Sequence, residues 1–383
     1  MKTASIAYIG QARSPEEVRS SIALAAETFR NNDSIHLALE KKEMLMFPER
    51  SRCENNVVVI VDGNKEVIGT CFLIDKYFNR RDLRLKGTFL SSICIAESAR
   101  GRKLSTQLMN AAVLECEKRA SDFSIVIARR AVDHFYNKFG FWGVSSYSRL
   151  NFSLDETRAE SKILSIETAN PRDIEKLASI YSPVYLPIYG SCERTREDWS
   201  HILWKVKLYG ASCILFKKAN ITVGYAIVTE SRIYEIAAES GVSYYDLMLC
   251  LRGWFSIKEF TIHASPDHPL VNHLADFDIS MNTRQCSYGG HMARIINYEK
   301  FESALRKSLN SQVFIRHKNT HNELLDKICM IRNRGNETSP LKLNDVSHEF
   351  TCNVLGVKYL SADRETSTAF DLQYFNIPHY DLV

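Results

Sequence analysis

Arg100, Arg102 and Lys103 place three cationic side chains within four positions, with Gly101 among them, in the stretch "ESARGRKLSTQLMN". A turn of this make-up can wrap an anion. The residues after it read as a helix, and a helix N-terminus presents unpaired backbone N–H groups and the positive end of the macrodipole. Gly101 permits backbone geometry that a β-carbon would block, and the three cations add formal charge. The matching ligand is a phosphate or pyrophosphate. A charge run taken alone is ordinarily a solvated face; this one lies between an apolar strand and an amphipathic helix, which favours the anion site. A second group of interest is Tyr136 in "HFYNKFGF". By spacing alone it reads as a core aromatic beside Phe135, Phe139 and Phe141.

The elements around the turn follow from periodicity. "SPEEV" gives a serine cap, a proline at the first helical position and acids in the first turn, so a helix runs from Ser14 to about Arg30. "NVVVIV" and "VIGTCFLI" flank the turn Asp62 to Asn64 and predict a hairpin. Strands are expected in "RDLRLKG" and, separately, in "FLSSICIA", residues 89–96. After the basic turn, Leu104, Leu108, Ala112 and Cys116 recur every fourth residue, and Met109 and Val113 widen the stripe, giving a helix to about Arg119. "FSIVIA" is a strand, and a short helix ends near "FYNKFGF". The order defines an α/β layer with a strand–turn–helix unit at its centre.

"SLDETRAESK", Ser153 to Lys162, reads as a linker. The pattern then partly repeats. "ILSIETANPRDIEKLASIY" gives a strand and a helix, "SCILFKK" and "TVGYAIV" flank a turn at Asn220, "RIYEIAA" is a strand, and "YYDLMLCLRGWF" is a helix. "EFTIHA" and "HMARIIN" are later strands. The chain from about Gln312 is more polar and ends in an apolar, aromatic tail. Three units are expected, over residues 1–155, 156–305 and 306–383.

Bulk properties narrow the function. The chain has 383 residues, 45% hydrophobic and 25% charged, with a net charge of only +4. That balance disfavours a nucleic-acid partner. No stretch approaches a membrane span, and "MKTASIAYIG" has too short an apolar run for a signal peptide. The ten cysteines are scattered singly without a CxxC pair, so reduced thiols in a cytoplasmic protein, with no metal site, are the expectation.

"ICIAESARGRKLSTQLM" followed by "HFYNKFGFWG" resembles the GNAT N-acetyltransferase superfamily. Its signature is a strand, an Arg/Gln-x-x-Gly-x-Gly/Ala turn for the coenzyme A pyrophosphate, a helix, and later a Tyr-x-x-x-Gly-Phe element. The whole chain is similar to the multidomain Eis-like branch, with "REDWSHIL", "GYAIV", "IYEIAA", "DHPLVNHL" and "HMARIINYEKFESAL" in the expected order. The resemblance implies a mixed central sheet flanked by helices, a second, degenerate GNAT-like domain, and a short α+β sterol-carrier-like C-terminal region. The signature maps onto Arg100, Gly101, Arg102, Lys103, Leu104 and Ser105, with Thr106 following. Lys103 stands where the middle glycine is expected, and Ser105 where glycine or alanine is. Arg129 lies where the family often has an asparagine.

The implied reaction is acetyl transfer from acetyl-CoA, a co-substrate, to a primary amine by direct attack on the thioester. The acceptor is an amine-bearing small molecule or a lysine-like group, and homo-oligomerisation stays open. A backbone N–H along Ile93, Cys94 and Ile95 is the candidate oxyanion donor. Tyr136 is the candidate acid for the departing thiolate. The α-carboxylate of Val383 is the branch's candidate base, with a frayed terminus as its rival. Glu97 and His134 are weaker candidate bases, and Cys94 reads as packing. The second half has Glu239, Ser240 and Gly241 in place of a basic turn and is expected to bind no coenzyme. Two alternatives remain: a non-catalytic or regulatory CoA-binding protein, and an acyltransferase using a longer acyl chain or a hydroxyl acceptor.

Overall fold

The computed structural model describes residues 5–45, 54–80, 83–128, 133–153, 164–188, 190–230, 232–255, 259–265, 268–275, 281–297, 300, 314–317 and 327–330. Two runs of elements follow the same order. The first comprises β1 (Ile6–Gln11), α1 (Pro15–Thr28), α2 (Ile35–Leu45), β2 (Val57–Asp62), β3 (Val67–Arg80), β4 (Leu83–Ile95), α3 (Leu104–Lys118), β5 (Phe123–Ile127), α4 (Asp133–Asn137) and β6 (Trp142–Ser153). The second comprises β7 (Ser165–Thr168), α5 (Ile174–Tyr185), α6 (Arg196–Leu208), β8 (Ser212–Lys218), β9 (Ile221–Val228), β10 (Arg232–Ala238), α7 (Tyr244–Phe255), β11 (Glu259–Ala264), α8 (Pro269–Ala275) and β12 (Met281–Ile295). The repeat legible in the sequence as an order of elements is therefore complete in the structure. A two-stranded sheet, β13 (Phe314–His317) with β14 (Lys327–Met330), follows. The expected limits at 155 and 305, the linker expected over 153–162 apart from Ser153, which ends β6, Arg129, most of the C-terminal region and Val383 lie outside the described residues.

Local chemistry explains the elements. Ser14 caps α1 by accepting a hydrogen bond from the Glu17 N–H at 3.3 Å, with Pro15 in the first turn. β2 is buried along its whole length because both faces are covered. Val57, Val59 and Val61 pack toward α1, and Val58 and Ile60 toward α3. In the second half, α5 and α6 cover one face with Leu177, Ile180 and Trp199, and α7 the other with Leu247, Met248 and Leu251.

All twelve strands from β1 to β12 form one sheet, in the order β1-β2-β3-β4-β5-β12-β6-β11-β10-β9-β8-β7. The last strand of each run has crossed to the other half. β12 pairs antiparallel with β5, His291 opposite Ile127 and Ile295 opposite Phe123. β6 pairs antiparallel with β11, and β6 and β12 pair with each other. Met292 of β12 is buried in the first half's core beside Val126 and Leu90. Asp122, itself buried, fastens the exit of β12. Its main-chain oxygen accepts from the N–H groups of Ile296 and Asn297, and its carboxylate accepts from Lys300 Nζ at 2.6 Å. A further contact joins Lys76 of β3 to Asp198 of α6 at 2.6 Å. Arg84 of β4 grips Glu193 with two nitrogens, at 2.7 and 2.9 Å.

Two expectations are corrected. The strands expected separately at 81–87 and 89–96 are joined in one strand, β4, from Leu83 to Ile95. Gly87 does not break it. A β-carbon there would meet Phe78 at 2.6 Å and Phe123 at 2.7 Å, so glycine is the residue that lets these rings close over the strand. The sequence reading also omitted β1, α2, β6, α6 and α8. No described helix is long and apolar enough to cross a membrane.

Candidate active site

β4 and β5 run parallel only from Gly87 to Leu90, against Phe123 to Val126. Beyond that they part. The cause lies on the other side of β4. Its register against β3 passes from Phe72 opposite Ser91 to Thr70 opposite Cys94, so Cys71 faces two residues, Ser92 and Ile93. Ser92 has a φ of 52°, a left-handed conformation outside glycine. This bulge bends β4 away from β5 and opens a cleft of about 680 Å³.

The cleft has four walls. β4 contributes Phe89 to Ile95, β5 contributes Ile127, α4 contributes His134 to Tyr136, and Phe29 and Lys42 come from the α1–α2 side. Ser105, in the first turn of α3, closes one end. Ile93, Cys94, Ile95, Tyr136 and Ser105 are thus brought together from separate elements.

The basic turn leads into that end. After β4 a short 3-10 turn, Glu97 to Ala99, is anchored by buried Ala99. Gly101 then adopts a φ of 77°, and Lys103 a φ of 58° as the N-cap of α3. The Lys103 side chain makes no cap hydrogen bond to the helix, so it does not compete with a ligand or solvent for the first N–H groups. The family pattern's middle glycine now has a physical reason, because the position is left-handed; lysine occupies it at a strain of about 1–2 kcal/mol. Arg100 and Lys103 are exposed, Arg102 is half-buried, and Thr106 is exposed. The Leu104 side chain is buried in the core, 3% exposed, which leaves only its backbone at the turn.

Tyr136 packs edge-on against Phe135 and Phe141, with ring centroids 5.2 and 6.3 Å apart. Its loop ends α4 in a Gly-closed cap: Gly140 has a φ of 74°, and the Phe141 N–H donates to the Tyr136 carbonyl at 3.3 Å. That geometry is the origin of the Tyr-x-x-x-Gly-Phe spacing. Arg294, on the exchanged strand β12, donates to the Phe139 carbonyl at 2.9 Å and so ties the tyrosine loop to the second half. Burial pushes the Tyr136 phenol up to about 12, and the neighbouring Cys71 adds to the effect. Burial likewise raises the Cys94 thiol to about 11 against the lowering effect of Thr28, Lys42 and Arg100, so at neutral pH it stays a thiol. Glu97 and His134 are exposed; His134 lines the cleft, whereas Glu97 does not.

Sequence reasoning missed Lys42. Its ammonium donates to Ser92 Oγ at 3.1 Å and lies 4.6 Å over the Phe29 ring. No local signal marks it, because α2 was not recognised and its partner lies fifty positions away.

The second half has the same splay. β10 pairs with β11 only at Arg232 and Ile233, before a register shift against β9 between Ile233 and Glu235. Here the gap is stoppered. Tyr185 OH donates to the Ile236 carbonyl and accepts from its N–H, both at 3.2 Å. His268 Nε2 lies 3.0 Å from the same carbonyl. His268 Nδ1 accepts from the Leu270 N–H, so Nε2 carries the proton, and burial pushes this histidine down to about 4. Glu239 at the following turn pairs with Lys176 at 2.5 Å. Among the described residues, no group of three or more His, Cys, Asp or Glu is gathered as a metal ion would need.

Comparison with known proteins names the class. Residues 54–142 match the acetyltransferase (GNAT) domain family, so the first half carries a GNAT acetyltransferase domain. Solved structures extend the likeness to nearly the whole chain. A protein of unknown function from Enterococcus faecalis V583, described as a probable N-acyltransferase, superposes with a TM-score of 0.67 at 12% identity over 95% of each chain. A GCN5-related N-acetyltransferase from Anabaena variabilis gives 0.66 at 14% identity, covering 96% of this chain and 97% of its own. Eis1 from Mycobacterium abscessus gives 0.61 at 13% identity, with the same coverage. At these identities the likeness is one of fold. No curated protein matches the sequence.

Proposed function

We propose that the protein transfers an acetyl group from acetyl-CoA to a primary amine by direct attack. The observation that carries this reading is one arrangement: the cleft opened by the Ser92 bulge ends at the basic N-terminus of α3, whose N-cap Lys103 makes no side-chain cap hydrogen bond. Arg100, Gly101, Arg102, Lys103, Ser105 and Thr106, with the backbone of Leu104, would hold the pyrophosphate. The edge of β4 from Ile93 through Cys94 to Ile95 would receive the thioester arm and donate an N–H to the developing oxyanion.

In the reaction the neutral amine attacks the thioester carbonyl, a C–N bond forms, and the C–S bond breaks. The proton lost by nitrogen balances the one gained by sulphur. Tyr136 lies in the cleft and stays protonated at neutral pH, which suits it to donate to the sulphur as the bond breaks. The α-carboxylate of Val383 is our candidate for the base that first neutralises the ammonium. Amidating the C-terminus tests it: full activity afterwards rejects that role.

The reading is tested by following thiol release from acetyl-CoA over a panel of primary amines. Amine-dependent release supports it. Binding of CoA without release on any amine would favour a non-catalytic coenzyme-holding protein instead.

A further inference from the structure

Resting on the acyl-transfer reading above, we infer that the acceptor amine carries a negative charge on a largely apolar body, and that Lys42 selects it. Coenzyme A would enter from α3, at the Ser105 end. The α1–α2 side, which carries Phe29 and Lys42, is then the acceptor's wall. Lys42 is held at the point where chemistry is proposed. Its ammonium bonds Ser92 Oγ at 3.1 Å, and Ser92 is the bulge residue from which β4 parts. The Phe29 ring face, 4.6 Å away, stabilises the charged form.

The remaining lining sets the rest of the preference. Phe89, Phe135, Tyr136 and Ile127 present apolar surface, and no described lining residue is a carboxylate. The base proposed above would serve the reacting amine, so a second ammonium would meet the charge of Lys42 with no carboxylate of its own among the described lining residues. An acceptor with an anionic group gains an ion pair in a partly dry cleft, where screening is weak. An ammonium on a flexible stem exchanges partners readily, so the charge and place of Lys42 set the preference rather than a vacant donor.

The test uses three primary amines of equal length: 6-aminohexanoate, hexylamine and 1,6-diaminohexane. Each is measured twice, by thiol release from acetyl-CoA and by calorimetric binding to the full chain saturated with CoA. The expected kcat/KM and affinity for 6-aminohexanoate exceed those for hexylamine by about tenfold, the worth of a partly screened ion pair. The diamine is expected to rank last. In Lys42→Met the ratio of 6-aminohexanoate to hexylamine falls to near one, and in Lys42→Glu the diamine moves to first place. A wild-type preference for the diamine, a ratio that survives in Lys42→Met, or no binding and no turnover with all three would overturn the inference. If the amines bind in the expected order but none is turned over, charge selection stands and acyl transfer falls. If they are turned over without charge ranking, acyl transfer stands and charge selection falls.

Discussion

Tyr136 and Lys103 are the single residues on which the proposed chemistry turns. Burial holds the Tyr136 phenol at about 12, well above a thiol at about 8.5. In the proposed reaction it would donate a hydrogen bond to the departing sulphur, and it remains protonated at pH values well below 12. Tyr136→Phe should lower kcat about 100-fold, the usual scale of such donation, with little change in CoA affinity. In the parent, no loss of rate from this group is expected until pH approaches 12. Unchanged turnover in the variant would remove Tyr136 from the mechanism. Lys103 carries opposed effects. Its left-handed backbone, φ 58°, is strained, yet in the proposed complex its charge would face the pyrophosphate. Lys103→Gly should raise stability by about 0.5–1 kcal/mol in denaturant unfolding while weakening CoA binding. Tighter binding in that variant would show that the side chain obstructs the ligand.

At the scale of elements, the legible parts were those whose signals are local. The β2–β3 hairpin follows from valine runs around an Asp-Gly turn, α3 from its four-residue spacing, and the basic turn from charge and glycine. What was not legible depends on distant partners. Ile35, Leu37 and Leu39 alternate as a strand would, yet they lie in α2, because packing against α1 decides their conformation. Gly87 looks like a break until the rings of Phe78 and Phe123 are seen to need its missing side chain. The Ser92 bulge depends on register with β3, which the β4 sequence does not encode alone.

The Lys76–Asp198 contact makes an element-level prediction. Burial by itself would raise the Asp198 carboxyl, but Lys76 and hydrogen bonds from Thr195 outweigh it and hold it below the ordinary carboxylate range. A carboxyl lowered in the folded chain stabilises above its unfolded value, about 3.9, and the contribution fades as pH falls through the lower folded value. Asn can keep the α6 cap but not the charge. Asp198→Asn should therefore lower Tm at pH 6 and flatten its fall below about pH 4. Parallel acid profiles for the two proteins would contradict the pairing.

At the scale of the whole molecule, exchange of β6 and β12 makes each half incomplete alone. The first half without β12 loses Met292 from its core and leaves the β5 edge unpaired. A chain ending at residue 160 should fail to give a cooperative melt, and co-expression with residues 161–300 should restore one. A stable, cooperatively folded fragment would refute that dependence. The same exchange brings Arg294 to the Tyr136 loop, so the second half supports a site whose own counterpart it has stoppered with Tyr185 and His268. On the proposed reading, one coenzyme binds per chain, at the basic turn of the first half. Isothermal titration of the full chain with CoA tests this most directly. The expected result is a single site that weakens at least about tenfold on replacing Arg100 and Lys103 together with alanine, and weakens further with added salt. No heat of binding, two sites per chain, or an affinity indifferent to that double replacement would contradict it.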